Sequence, residues 1–182
     1  MKVGVFSPND PRPWVREENI DHMVSQERLL VDFLVNSGVE VVRGGEDLPK
    51  MDQIAWNTRL VNSHVKAIAA GEPEALVINQ GSWTFPWDSV DAVKRFAAET
   101  GDVPRVLMFS HKDPSVPGLV AGMAAGGGLT RIGVPFAHVF GDIVNDPGVG
   151  KAIMSVLRFY EKRAKGAQKA QKVIRDLKAQ KY

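Results

Sequence analysis

A chain of 182 residues, 44% hydrophobic and 24% charged, is long enough to bury one substantial core, too short for two domains of usual size, and too apolar for disorder throughout. It has no cysteine, which removes disulfides, thiolate nucleophiles and thiolate metal sites together. Its formal charge of +2 hides an asymmetry, because ten of the 23 basic and two of the 21 acidic residues lie in 151–182, leaving 13 basic and 19 acidic residues in 1–150.

The basic tail spaces its charges along a helix without interleaved aromatics, the pattern of a solvated face and not of a nucleic-acid reader. No apolar run approaches the roughly 20 residues that cross a bilayer. The amino-terminal apolar stretch breaks at Ser7-Pro8, too early for a signal peptide. A cytoplasmic protein with neither nucleic acid nor membrane as partner is expected.

Residues 3–6 form a short apolar strand, and three prolines in 7–14 oppose an early helix. Helical spacing then carries Ile20, Met23, Val24, Leu30, Val31 and Leu34 to a glycine stop at Ser37-Gly38. A strand over 39–42 precedes a helix over 51–70 with Ile54, Val61, Val65 and Ile68 on one face. Next comes ALVINQGSWTFPW at 75–87, an apolar strand suited to burial on both faces that empties into a loop with two tryptophans and a phenylalanine. Asp88 is placed to cap a helix over 89–100. A strand over 105–110 leads to a small-residue helix from Leu119, which Gly126-Gly127-Gly128 either breaks or packs closely. A strand over 136–140 precedes a final helix from Gly148, with Ile153, Leu157, Tyr160, Ala164, Ala167, Ile174 and Leu177 as its buried stripe. Unbroken, residues 151–182 would extend about 48 Å.

Five strands alternating with helices predict an α/β three-layer sandwich with a parallel sheet in the flavodoxin-like order 2-1-3-4-5. The expected division is a flavodoxin-like domain over 1–150 and a long basic carboxyl-terminal helix over 151–182. The switch point lies between the first and third strands, so the loop with Arg12, Trp14 and Arg16 must face the loop with Trp83. Phe85 and Trp87 read equally as core or as part of that crevice. Guanidinium forks suit carboxylates, phosphates or paired hydroxyls, and an indole face stacks on a sugar ring, so the combination points to a polyol. Neither G-x-G-x-x-G after the first strand nor G-x-x-x-x-G-K-[ST] is present. His22, His64, His111 and His138 lack ligand spacing. His111, at a strand's carboxyl end, is the histidine placed to touch a ligand. Ser110 and Ser115 lack a nucleophile elbow; Asp142 and Asp146 read as a turn and a helix cap.

The blocks PRPWVREEN at 11–19, VINQGSWTFP at 77–86, MFSHKDPSVPGLVAGMAAGGGLTRIGVPFAHVFGDI at 108–143 and RDLKAQKY at 175–182 resemble the amino-terminal domain of the L-fucose isomerase family. The resemblance implies a first domain of a larger enzyme that converts aldoses to ketoses with a divalent metal, typically Mn2+. It implies that Trp83 helps close a sugar pocket, and that Arg16, with Arg12 competing, is the sugar-contacting arginine. The metal ligands, two acids and a histidine, are expected in later domains beyond Tyr182, leaving no cofactor or catalytic residue in this chain. The expected partners are a sugar, further isomerase domains or subunits, and self-association. The alternative is a free-standing flavodoxin-like binding or regulatory module.

Overall fold

The computed structural model describes residues 1–113 and 117–179, with side chains as far as Ala164. Ser115, Tyr182 and the side chains of Ala167, Ile174 and Leu177 lie outside that description. The elements are β1 (Lys2–Phe6), α1 (Pro13–Asn36), β2 (Glu40–Arg43), a 3-10 turn (Lys50–Asp52), α2 (Thr58–Ala70), β3 (Ala75–Gln80), α3 (Pro86–Thr100), β4 (Val106–His111), α4 (Gly118–Arg131), β5 (Phe136–Gly141) and α5 (Pro147–Ala179). All strand pairs are parallel, in the order β2-β1-β3-β4-β5. The flavodoxin-like order and the α/β class are therefore as the sequence predicts.

Alternate side chains of the central strands feed two cores, one on each face. Phe6, Leu76, Ile78, Val106 and Met108 pack with Leu60, Val61, Val65, Ile68, Val93, Phe96, Ala125 and Leu129 from α2, α3 and α4. Val3, Val5, Val77, Leu107 and Phe109 pack on the other face with Leu30 and Leu34 of α1 and Ile153 and Leu157 of α5. Every residue of β3 and β4 is buried, which is why both strands read as unbroken apolar runs and not as alternating ones.

Three boundaries differ from the sequence expectation. Pro13 opens α1 at its first turn, where proline's missing N–H costs nothing and its φ is already helical, so Trp14 and Arg16 belong to the helix and not to the loop. The expected helix over 51–70 starts only at Thr58, with the Asn57 side chain accepting from Leu60 N at 2.9 Å as its cap. Ile54 and Ala55 are buried for another reason: Ala55 extends the β1 edge, bridging Pro8 through Asn9 N to Ala55 O at 2.8 Å and Ala55 N to Ser7 O at 3.0 Å. The helix expected over 89–100 begins earlier, at Pro86, and places Asp88 inside its first turn instead of at its cap.

The triple glycine does not break α4, which runs on to Arg131. A Cβ at Gly126 would stand 2.8 Å from the Phe136 ring, and one at Gly122 would stand 2.2 Å from Ser110 Oγ. Small residues therefore let α4 lie close on β4 and β5. Asp142 and Asp146 cap their turn and helix as expected, accepting from Val144 N and Gly148 N at 2.9 and 2.8 Å.

The same face has a similar close approach at β1, where a Cβ on Gly4 would fall 2.2 Å from Ile68 Cγ2 and 3.3 Å from Pro73 Cγ. Gly4→Ala should therefore lower unfolding stability by about 1–3 kcal/mol through overpacking against α2. Chemical denaturation of the variant with an unchanged midpoint would show that α2 has room to retreat.

Candidate functional site

The carboxyl ends of β1 and β3 release their chains towards each other at the point where strand order reverses. Asn9 and Asp10, just beyond β1, are fully buried. The Asp10 carboxylate accepts from Arg12 Nε at 2.9 Å and Arg12 Nη2 at 2.5 Å. Burial pushes this carboxyl up, but the hydrogen bonds and charge of Arg12 outweigh that and hold it below the ordinary value. Arg12 in turn lies over the Phe85 ring, 5.7 Å from its centroid. Phe85 stacks on Trp87 at 4.3 Å and meets Trp83 edge-on at 6.3 Å.

The two loops therefore touch, as the topology requires. Two further hydrogen bonds join them, Asn19 Nδ2 to Ser82 Oγ at 3.4 Å and His22 Nε2 to Gly81 O at 2.9 Å. The aromatic loop is braced from below by Gln80, which donates to Ser89 Oγ at 3.0 Å and accepts from Thr84 Oγ1 at 2.7 Å. Trp83 and Phe85 are half-buried, whereas Trp87 and Trp14 are 57% and 62% exposed. Trp87 is thus a surface ring and not a core residue.

Arg16 is held differently from Arg12. Its guanidinium lies over Trp56 at 3.9 Å from the ring centroid, and Nη1 donates to Pro11 O at 3.1 Å. Trp56 is fixed in turn by its indole N–H, which donates to Asp52 Oδ1 at 3.1 Å. The Trp56 contact was not read from the sequence, since residues 51–57 fit a helical spacing that the chain does not adopt.

His111 completes the floor at the end of β4. Its ring packs edge-on against Phe109 at 4.5 Å, and Nε2 lies 2.7 Å from Asn79 Oδ1. Asn79 Nδ2 donates to Ser7 Oγ at 3.0 Å, so Asn79 Oδ1 is the acceptor and His111 carries its proton on Nε2. Burial first, then the nearby His22, push the His111 pKa down to about 4 against the pull of Asp142 and Asp113. The ring is neutral near pH 7 and keeps Nδ1 as an acceptor. The other histidines serve locally: His64 is buried on Asp52 O at 2.9 Å, and His138 pairs with Ser110 Oγ at 2.9 Å.

Among the described residues, four buried side-chain atoms have no hydrogen-bond partner in the protein: Asn9 Nδ2, Arg16 Nε, Asn19 Oδ1 and Asp88 Oδ2. All four belong to the β1–α1 and β3–α3 junctions. Such atoms are uncommon in folded proteins and cost about 1–3 kcal/mol each when left unpaired. Two donors and two acceptors thus lie at the two junctions that meet where the strand order reverses, which makes them the candidate site.

The family model described as L-fucose isomerase, first N-terminal domain, matches residues 1–172. The chain belongs to this family. No curated protein matches it.

In this L-fucose isomerase domain, no three His, Cys, Asp or Glu side chains among the described residues form a set that could hold a metal ion. The acidic groups of the crevice are instead paired or suppressed. Burial first, then the charges of Asp91 and Asp10, raise the Asp88 pKa to about 6. A carboxylate in a helix's first turn is ordinarily favoured by the helix dipole, so the desolvation outweighs a helpful position.

The folded-state value for Asp88 lies above the unfolded value near 3.8. Its contribution to stability is therefore fully present below about pH 4 and is lost as pH rises through about 6. Asp88→Asn should match the parent near pH 4 and exceed it above pH 6 by about 1–2 kcal/mol, a value reduced for screening by nearby water. The His111 contribution has the opposite slope but is common to both proteins and cancels. A stability difference between the two that stays constant from pH 4 to pH 7.5 would sink this account of Asp88.

Proposed function

We propose that this domain contacts the sugar in a metal-dependent aldose–ketose isomerase of the L-fucose isomerase kind and takes part in its assembly, while the metal and the proton-transferring groups are supplied from outside this chain. The observation that carries the reading is the set of unpartnered donors and acceptors on Asn9, Arg16, Asn19 and Asp88, beside an aromatic loop, in a chain of this family. Every sugar hydroxyl both donates and accepts, so a polyol complements such a wall better than an anion, which only accepts.

Three side chains are assigned to the ligand. Trp83 offers a face to the less polar side of the sugar ring. Arg16 is preferred to Arg12 because its plane is already fixed by Trp56 and no carboxylate among the described residues pairs with it, whereas Arg12 is committed to Asp10. His111 contributes Nδ1 as an uncharged acceptor for a hydroxyl proton. Arg12, stacked on Phe85, shapes the rim.

The side chains described here do not fit a catalytic metal, so the Mn2+ expected for the complete enzyme is assigned to other domains, and no chemical step is assigned to this one. The exposed rings of Trp14 and Trp87 supply an apolar rim against which another domain or subunit would close, since aromatic side chains are enriched where protein surfaces meet.

The 182-residue chain with Mn2+ should show no aldose–ketose interconversion. In a complete enzyme carrying this domain, Trp83→Ala should lower kcat/KM by about 10-fold or more, the loss of one stacked ring. Turnover by the isolated chain, or unchanged kinetics in the Trp83 variant, would overturn the assignment.

A further inference from the structure

At the opposite edge of the sheet, where β4 and β5 begin, lies a cavity of about 810 Å3 between the strand-entry loops and α5. Its volume falls within the roughly 300–1,000 Å3 typical of small-molecule sites. The walls are apolar, formed chiefly by Val103, Phe136, Val156 and Phe159. Val103 and Phe159 are 54% and 53% exposed, so neither is consumed by the protein's own core. The Tyr160 hydroxyl on the same wall donates to Val106 O at 2.7 Å and is spent.

The polar groups left to meet a ligand are guanidiniums. Arg105 and Arg163 line the cavity, with Asp102 as the carboxylate among the lining residues and no lysine or glutamate. Arg163 lies over the Phe159 ring at 5.0 Å, and Arg105 Nη1 reaches only Glu74 O, at 3.4 Å. Neither guanidinium has an ion-pair partner among the described residues, whereas Arg12, Arg43, Arg59 and Arg95 all do. An apolar slot with two unneutralised forks at its rim has the chemistry to receive a flat apolar body ending in a carboxylate.

We infer that this cavity binds a small amphipathic anion, an aryl carboxylate whose ring lies against Phe136, Val156 and Phe159 and whose carboxylate is held by Arg105 and Arg163. The site is separated from the sugar-contacting crevice by the length of the strands. It stands or falls independently of the reading above.

The test is a titration of the 15N-labelled 182-residue chain with 2-naphthoate, and in parallel with 2-naphthylmethanol, its uncharged counterpart. Amide shifts should concentrate at residues 102–105, 133–137 and 155–163, and naphthoate should bind about 10-fold or more tightly than the alcohol, as one charge-assisted contact predicts. Arg163→Gln should weaken naphthoate by several-fold, leaving only the preference that Arg105 supplies, and leave the alcohol unchanged. Phe159→Ala should weaken both. Arg163 and Phe159 are exposed, so these variants keep the fold, which circular dichroism checks; should the Phe159 variant unfold, Arg163→Gln decides alone. Equal binding of acid and alcohol, shifts centred on the Trp83 loop, absence of binding, or full naphthoate affinity in Arg163→Gln would each overturn the inference.

Discussion

The structure depends on a line of buried hydrogen bonds that crosses the sheet beneath its carboxyl edge. Arg43 at the end of β2 donates through Nε to Glu27 of α1 at 2.8 Å. Ser7, just beyond β1, acts on the same carboxylate, favouring its charged form. Asn79 of β3 donates to Ser7, and His111 of β4 donates to Asn79. His111 and Asn79 donate in the same direction along the series, so the first bond polarises the second. Glu27 is 3% exposed, and its burial raises its pKa despite Arg43. Removing either partner would leave the other charge or dipole uncompensated in a dry setting, which is far costlier than the net worth of the pair. The line ties α1 and four adjacent strands together at the edge from which the β1–α1 and β3–α3 loops spring.

That anchoring explains how two loops far apart in sequence acquire a fixed relation. The β3–α3 loop begins at Gln80, whose amide is bonded on both sides to Thr84 and Ser89, so the turn bearing Trp83 is tethered at its base. The β1–α1 junction is tethered by the Ala55 bridge and by Asp10. Rigid supports are what allow Asn9, Arg16, Asn19 and Asp88 to retain unpaired atoms. In a soft loop those atoms would rotate to find partners, and the cost of keeping them apart is met by the packing beneath.

The strand order, the layers and the facing loops were legible in the sequence because they rest on apolar periodicity and on glycine and proline punctuation, which are local. What escaped was set by contacts between distant residues. Ile54 completes a helical spacing with Val61 and Val65, yet it is buried because Ala55 beside it extends β1, and no local rule reveals that bridge. Asp88 has the composition of a helix cap. Its burial beside Asp10 follows from Pro86 starting the helix three residues earlier than expected, a signal that was available in the proline itself. Trp56 as the platform for Arg16, and Glu27 as the sink of the polar line, are tertiary facts: on the sequence one is an isolated aromatic and the other a surface-type charge. The triple glycine carried both of its readings equally until α4 was seen against Phe136 and Ser110.

The two ends of the sheet answer the same problem in opposite ways. Parallel strands leave backbone groups and loop side chains to be accommodated at both edges. At the carboxyl edge they are gathered into a polar lattice with a few unpaired members at the two loop junctions. At the amino edge the entry loops of β4 and β5 carry Pro104, Pro135, Val103 and Phe136, and the space is bounded by α5 instead of by polar bonds. Tyr160 closes the Val106 carbonyl of β4, so the wall that remains is largely apolar, and its two arginines have no ion-pair partner among the described residues. The charge asymmetry seen first in the composition thus has a local form: α5 brings Arg163, one of the basic residues of 151–182, to the groove. A helix that seals the core through Ile153 and Leu157 therefore also creates, one turn further on, a surface whose apolar and cationic groups do not answer each other within the chain.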